Sequence, residues 1–189
     1  MMHHLVSLLA ASSLCLAAYI PIGGNVTMPH RDDAPVPGRG LRVSKTVGTT
    51  GESTFNDLLS IPPNPKLSKI IIQGDKTIEG LSIILDKGAN LTHGSLKKTS
   101  SFIQPSPGDF ITHIKLCWDN NKGPAHISQA VVDSRFGEHL EVGEETGNCN
   151  VFRAPEDYGI VGAHGQVEKD GITQLGFYYA RAQKAGSQQ

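Results

Sequence analysis

Apolar residues along the chain fall into two regimes. Residues 5–18 (LVSLLAASSLCLAA) form one uncharged apolar run, whereas from Val43 onward apolar side chains come in short stretches that are β-branched or alternate with polar ones. Residues 67–72 (LSKIII) are one such stretch. In residues 81–85, Leu81, Ile83 and Leu85 face one way. In residues 110–118, Phe110, Ile114, Leu116 and Trp118 share a face with His113 and Lys115 opposite, the pattern of a half-buried strand. Further strands are expected over residues 127–133, 139–142, 160–163 and 172–180. Turn residues punctuate them closely: Gly74-Asp75, Asp86-Lys-Gly88, Asn120-Asn-Lys-Gly123 and Gly147-Asn148. No amphipathic helical period follows the first run. Short strands between regular turns predict an all-β domain: a sandwich, a barrel or a prism.

The first run is shorter than the ~20 residues of a membrane-spanning helix. Ala17 or Ala18 offers a small residue for cleavage, and Pro21, Gly23 and Gly24 follow. Residues 1–18 are therefore read as a signal peptide, which makes the mature protein secreted and extracellular. No other run reaches membrane length, so no stable membrane span is expected. Formal net charge is -1, and Lys97-Lys98 is an isolated cationic pair. A phosphate-backbone binder needs a clustered positive field, so nucleic acid is not an expected partner.

Of the cysteines, Cys15 lies in the leader, which leaves Cys117 and Cys149. In an oxidising compartment these are expected to form one disulfide, contributing roughly 3–4 kcal/mol in the chain-entropy picture. His113 and Cys117 share a face, but two candidate ligands fall short of the four that a structural zinc site uses, so no metal is expected. Asn25-Val-Thr27 and Asn90-Leu-Thr92 are glycosylation sequons, the second expected on an exposed loop. Residues 19–44 carry Pro21, Pro29, Pro35 and Pro37 among Gly, Asp and Arg, and read as a flexible linker dispensable for folding. Within it, Arg39-Gly-Leu-Arg42 is similar to the Arg-x-Leu-Arg host-entry motif of oomycete effectors, although the acidic run expected downstream is missing. The folded domain is expected over residues 45–182, with a disordered tail over 183–189.

Catalytic signatures are missing: the sequence has no Gly-x-Ser-x-Gly elbow, no His-Glu-x-x-His and no phosphate loop. Histidines after the leader are scattered singly. Glu138, Glu141, Glu144 and Glu145 contain the raw material of a glycosidase acid pair, but Glu144 and Glu145 are adjacent in a Gly-flanked turn and read as solvated. No catalytic residue, cofactor or enzymatic activity is expected.

Several pieces resemble, in the right order, one family. Val47-Gly-Thr-Thr-Gly-Glu-Ser-Thr-Phe-Asn-Asp57 is similar to the opening of jacalin-related lectins, where a Gly-rich turn precedes Phe-Asp-Asp. Residues 67–72 with 78–86 resemble the family's second and third strands. Residues 127–137 resemble its strand, turn and aromatic-Gly unit, and Tyr158-Gly-Ile-Val-Gly-Ala-His-Gly165 with Leu175-Gly-Phe-Tyr-Tyr179 its closing hairpin. Together they span about residues 45–182. The resemblance implies a β-prism I of three Greek-key sheets that binds carbohydrate without catalysis, with glycans or glycoproteins as partners and a homo-oligomer left open.

In that family the last hairpin loop grips a sugar together with the Gly-rich turn. A neutral hexose offers only hydroxyls, so its site wants dense N–H groups and a carboxylate that accepts O–H bonds. The resemblance thus points to Gly48 and Gly51 in the turn and to Gly165, Glu168, Asp170, Gly171 and Thr173 in the hairpin. The family's Gly-x-x-x-Asp is altered here: aligning Leu175-Gly176 puts Lys169 at that Gly and Thr173 at that Asp, with one extra residue in the loop. Asp170 is the expected acceptor, brought into place by a bulge for which Gly171 supplies positive φ; Glu168 is its rival, and Thr173 offers a weaker hydroxyl. Mannose or galactose specificity does not carry over. The competing expectation is a secreted interaction or effector protein that kept the scaffold and lost the sugar site.

Overall fold

The computed structural model describes residues 33–95, 99–119 and 126–182. The expected signal peptide, Asn25, the first part of the expected linker, the expected turn at 120–123 and the expected disordered tail lie outside them. The described residues hold fourteen strands and no helix.

The strands form three antiparallel sheets. The first joins both ends of the described chain: β1 (Asp33–Val36), β2 (Leu41–Ser44), β14 (Gly171–Arg181), β13 (Tyr158–Glu168) and β4 (Ser53–Asn56) lie in that order, and β3 (Val47–Gly48) also pairs with β14. In the second the order is β11 (His139–Gly143), β10 (Ile127–Ser134), β9 (Ile111–Trp118) and β12 (Asn148–Arg153). In the third it is β7 (Asn90–Gly94), β6 (Ile78–Leu85), β5 (Leu67–Gly74) and β8 (Ser100–Ile103). Each sheet turns one face inward: Ile70 and Ile83 from the third, Ile114, Leu116 and Val132 from the second, and Ile160 and Phe177 from the first are buried in one shared cluster. Alternating sequence is what an antiparallel sheet with one wet face requires. The Phe177 ring meets Phe152 edge-on, centroids 5.3 Å apart, and so ties the first sheet to the second. Three sheets around one core make the expected β-prism.

Cys117 and Cys149 are disulfide-bonded. They oppose each other directly in the β9–β12 register, so the bond crosses neighbouring strands. Asn90 is exposed at the start of β7, and its Oδ1 accepts the Thr92 hydroxyl at 2.9 Å.

The linker expectation is corrected over residues 33–44, which belong to the prism. β1 pairs with β2, and β2 pairs with β14 from Leu41 to Val43. Leu41 enters the core. Pro35 is tolerated because β1 is an edge strand, where a missing N–H breaks no interior ladder. Arg39 and Arg42, within the expected linker, are engaged. Arg39 donates to the carbonyls of Leu58 and Ile61 at 2.9 and 2.7 Å, and Arg42 pairs with the Asp33 carboxylate.

Candidate functional site

The Gly-rich turn and the last hairpin, more than a hundred residues apart, meet on the first sheet. β3 pairs with β14 through Gln174↔Gly48 and Leu175↔Val47. Gly48 has φ +102°, and a β-carbon there would run into the Thr173 carbonyl oxygen. That same carbonyl accepts the Thr49 N–H at 2.9 Å. Only glycine permits both the dihedral and the approach. At Gly51 a β-carbon would collide with Thr173 Oγ1, and the Gly51 N–H donates to Gln166 Oε1 at 2.5 Å. The space that glycine opens at both positions is thus taken by β14 itself.

The extra residue of the hairpin is located by its register. Gln166 pairs with Gln174 and Val167 with Ile172, which leaves Thr173 as the bulged residue. Thr173 is fully buried, and its hydroxyl donates to the Gln166 carbonyl at 3.2 Å. Its role in this structure is to clamp the turn. The bulge expected at Asp170-Gly171 therefore lies further along β14. Gly171 is buried, pairs with Glu168 and is not among the residues of positive φ; a β-carbon there would press on His126 Cδ2 and the Ile78 carbonyl, both at 2.9 Å. Lys169 and Asp170 form an exposed two-residue tip, and Glu168 beside them is half-buried.

Asp57, in the stretch resembling Phe-Asp-Asp, is structural. Its buried carboxylate accepts the Ala163 N–H at 2.8 Å and meets His93 Nε2 at 2.7 Å. The Phe55 ring stacks on His93 at 3.9 Å. The acidic cluster is likewise divided among separate partners: Glu138 accepts from Ser106, Glu141 from Gln129, and Glu145 pairs with Lys115.

Beside the Gly51 turn, the outer face of the first sheet carries an open cleft of about 570 Å³, within the ~300–1,000 Å³ range of small-ligand pockets. Its floor comes from the outward positions of β4, β13 and β14, where register sets Asn56 beside His164 and Thr54 beside Gln166. Gln174 lies across from Gln166, and Gly176 across from His164. Gly176 is glycine because a β-carbon would lie 2.7 Å from both His164 Nε2 and the Lys45 carbonyl. His164 Nε2 lies 3.1 Å from the Ser44 carbonyl oxygen. A carbonyl only accepts, so Nε2 carries the proton and Nδ1 of the neutral ring is an acceptor. Burial lowers the His164 pKa from 6.5, opposed by the Ser44 hydrogen bond and by the Asp57 charge. The Tyr178 ring lies tilted against that of His164, centroids 5.2 Å apart, and its hydroxyl donates to Asn56 Oδ1 at 3.0 Å; burial raises its pKa, against the effect of that bond.

The expected site residues did not include His164, Gln166, Gln174, Asn56 or Thr54. The available signal was the run of polar side chains at alternate positions of the last hairpin, His164 and Gln166 against Gln174, on strands whose other positions are apolar.

The Jacalin-like lectin domain family model matches residues 44–178. No curated protein sequence matches the chain significantly. Among solved structures, a mannose-binding jacalin-related lectin from Ananas comosus superposes with a TM-score of 0.63 at 19% identity, covering 75% of this chain and 99% of its own. Malaysian banana lectin gives 0.62 at 17%, covering 74% and 97%. A mannose-binding lectin from Champedak gives 0.60 at 16%, covering 73% and 95%. At these identities the likeness is one of fold, β-prism I.

Proposed function

The chain belongs to the jacalin-like lectin family, and from that membership we propose that it is a secreted, non-catalytic lectin that binds glycans or glycoproteins at the last hairpin. The observation that carries the proposal is the joining of the Gly-rich turn to that hairpin through the Gly51–Gln166 and Thr49–Thr173 hydrogen bonds. In this reading Gly48, Gly51, Gly171 and Thr173 fix the hairpin against the turn. Gly165 borders the ligand, and Asp170 supplies the acceptor carboxylate with Glu168 as its neighbour. A disulfide accords with an oxidising, extracellular setting. The family affiliation and the absence of any catalytic motif support a binding role.

One observation favours the second reading, a secreted interaction protein without sugar binding. The Gly51 N–H and the Thr173 hydroxyl, two donors a sugar could use, already have partners within the chain. The effector resemblance of Arg39–Arg42 is weakened by the structural engagement of both arginines.

Glycan-array binding followed by calorimetry separates the readings. A saturable signal for a neutral glycan, competed by free sugar, supports the lectin, and silence across the array supports the interaction protein. Asp170→Ala is expected to lower affinity about ten- to a hundredfold, the loss of one charge-assisted acceptor, with little change in melting temperature. Affinity indifferent to Asp170→Ala and to Glu168→Ala overturns the assignment of the tip.

A further inference from the structure

The cleft on the outer face of the first sheet has a chemistry opposite to that of the hairpin tip. Among the described residues no carboxylate lines it, and Lys45 is the formally charged residue among those that do. The side-chain amides around it are oriented by the bonds they already make. Only an oxygen can accept the Gly51 N–H, so the Gln166 amide has Oε1 on the turn and its NH2 group left over. Asn56 Oδ1 accepts both the Leu58 N–H at 2.9 Å and the Tyr178 hydroxyl, which leaves its NH2 group as well. Gln174 and the hydroxyls of Thr46 and Thr54 also line the space. The wall is therefore rich in donors. The Nδ1 of His164, whose Nε2 faces Ser44, is an acceptor among the side chains that line it.

A neutral hexose presents hydroxyl protons and is held best where a carboxylate receives them. This wall presents protons instead, so it suits a ligand bearing anionic oxygens. We propose that the cleft binds the acidic group of a saccharide, a carboxylate or a sulfate ester, through Gln166, Gln174, Asn56 and Thr54. The inference rests on the lectin reading and deepens it. The Asp170 and Glu168 carboxylates at the tip then serve neutral hydroxyls and the donor-lined sheet face serves an anionic residue, so one acidic glycan can engage both or either.

The test uses the purified full chain and measures binding by calorimetry to a uronate tetrasaccharide, to 3′-sialyllactose and to a sulfated tetrasaccharide, each beside a neutral counterpart. At least one acidic ligand is expected to bind at least about tenfold tighter than its counterpart. The carboxylate and sulfate arms identify which anion the cleft takes. Gln174→Leu and Thr54→Val are each expected to weaken that binding about tenfold while the melting temperature and any neutral-glycan binding at the tip stay unchanged. Acidic ligands that bind no better than neutral ones overturn the inference, and neutral binding sensitive to Asp170→Ala in the same experiment leaves the tip assignment intact. Acidic binding lost in Lys45→Gln yet retained in both Gln174→Leu and Thr54→Val marks a diffuse charge effect and also overturns it. Gln174-sensitive acidic binding without any Asp170-sensitive neutral binding upholds the cleft and removes the tip.

Discussion

The β1–β2 hairpin and the β13–β14 hairpin belong to the same sheet, yet they are held by different forces. In β14, Ile172, Leu175, Phe177 and Tyr179 are buried, so the hairpin is held by apolar area and sits at the sheet's centre. In the β1–β2 pair Leu41 alone is fully buried in the core, Val36 and Val43 pack against it partly exposed, and arginine side chains add anchoring, Arg39 onto two carbonyls and Arg42 onto Asp33. A central strand declares itself by hydrophobic content. An edge hairpin tied by polar side chains looks like a linker.

Substitution at the centre should produce the largest effect. Phe177→Ala removes a buried ring packed on Phe152 and is expected to cost about 3–5 kcal/mol in chemical denaturation. A loss below 1 kcal/mol, on the order of a surface change, would break the contrast at its strong end. Gly176→Ala should cost about 2 kcal/mol, because a methyl group there overpacks His164 and the Lys45 carbonyl. The same variant should perturb the His164 ring signals in NMR, a change that a remote core substitution does not produce.

Arg39→Ala tests the weaker hairpin. It removes two charged-donor hydrogen bonds, one part-buried and one exposed, and is expected to cost about 1.5 kcal/mol. Amide exchange should accelerate in β1 and β2 while β13 and β14 keep their protection. Equal acceleration throughout the sheet would mean that the two hairpins unfold as one unit and that the distinction has no energetic content.

The smallest expected effect is a pH dependence of stability. Burial lowers the pKa of His164 in the folded state from 6.5, with Ser44, Asp57, Tyr178 and Lys45 around the ring. Burial and the Arg153 charge lower that of His113. Between each lowered value and 6.5 the unfolded chain binds more protons, so stability rises with pH through this window and is lost as pH falls through it. Denaturation midpoints should be lower at pH 5 than at pH 7.5, and His164→Gln should reduce the difference. An unaltered difference in that variant would assign the effect to His113 or to other groups.

Much of the prism was legible from alternation alone. β5, β6, β9, β10, β11, β13 and β14 each contain a stretch that pattern and turn residues marked. The short strands were not legible: β4 (STFN), β7 (NLTHG) and β8 (SSFI) are edge strands that bury few side chains, so their sequences carry little apolar signal. Pairing partners, which no local pattern reports, make them strands. The meeting of turn and hairpin was legible through the family resemblance. The position of the bulge was not, because Asp170-Gly171 has the better local turn chemistry while the bulge is set by Thr173 fitting beneath two glycines. The donor-lined cleft was hidden for a related reason. His164, Gln166 and Gln174 become neighbours of Thr54 and Asn56 only through register, and a shift of one residue would turn them inward.

The first sheet draws its strands from both ends of the described chain, and this has a consequence for the order of folding. Among the described strands, β2 and β3 pair within the sheet only with β1 and β14, and β14 is the last of them along the chain. The sheet cannot close during synthesis until Gly171 to Arg181 has emerged, and its pairings span most of the sequence, the kind of topology that folds slowly. Until then Leu41 and the inner face of β13 wait uncovered. A chain interrupted before Gly171 would lack the strand that β2, β3 and β13 all require, and the cleft would lose its floor.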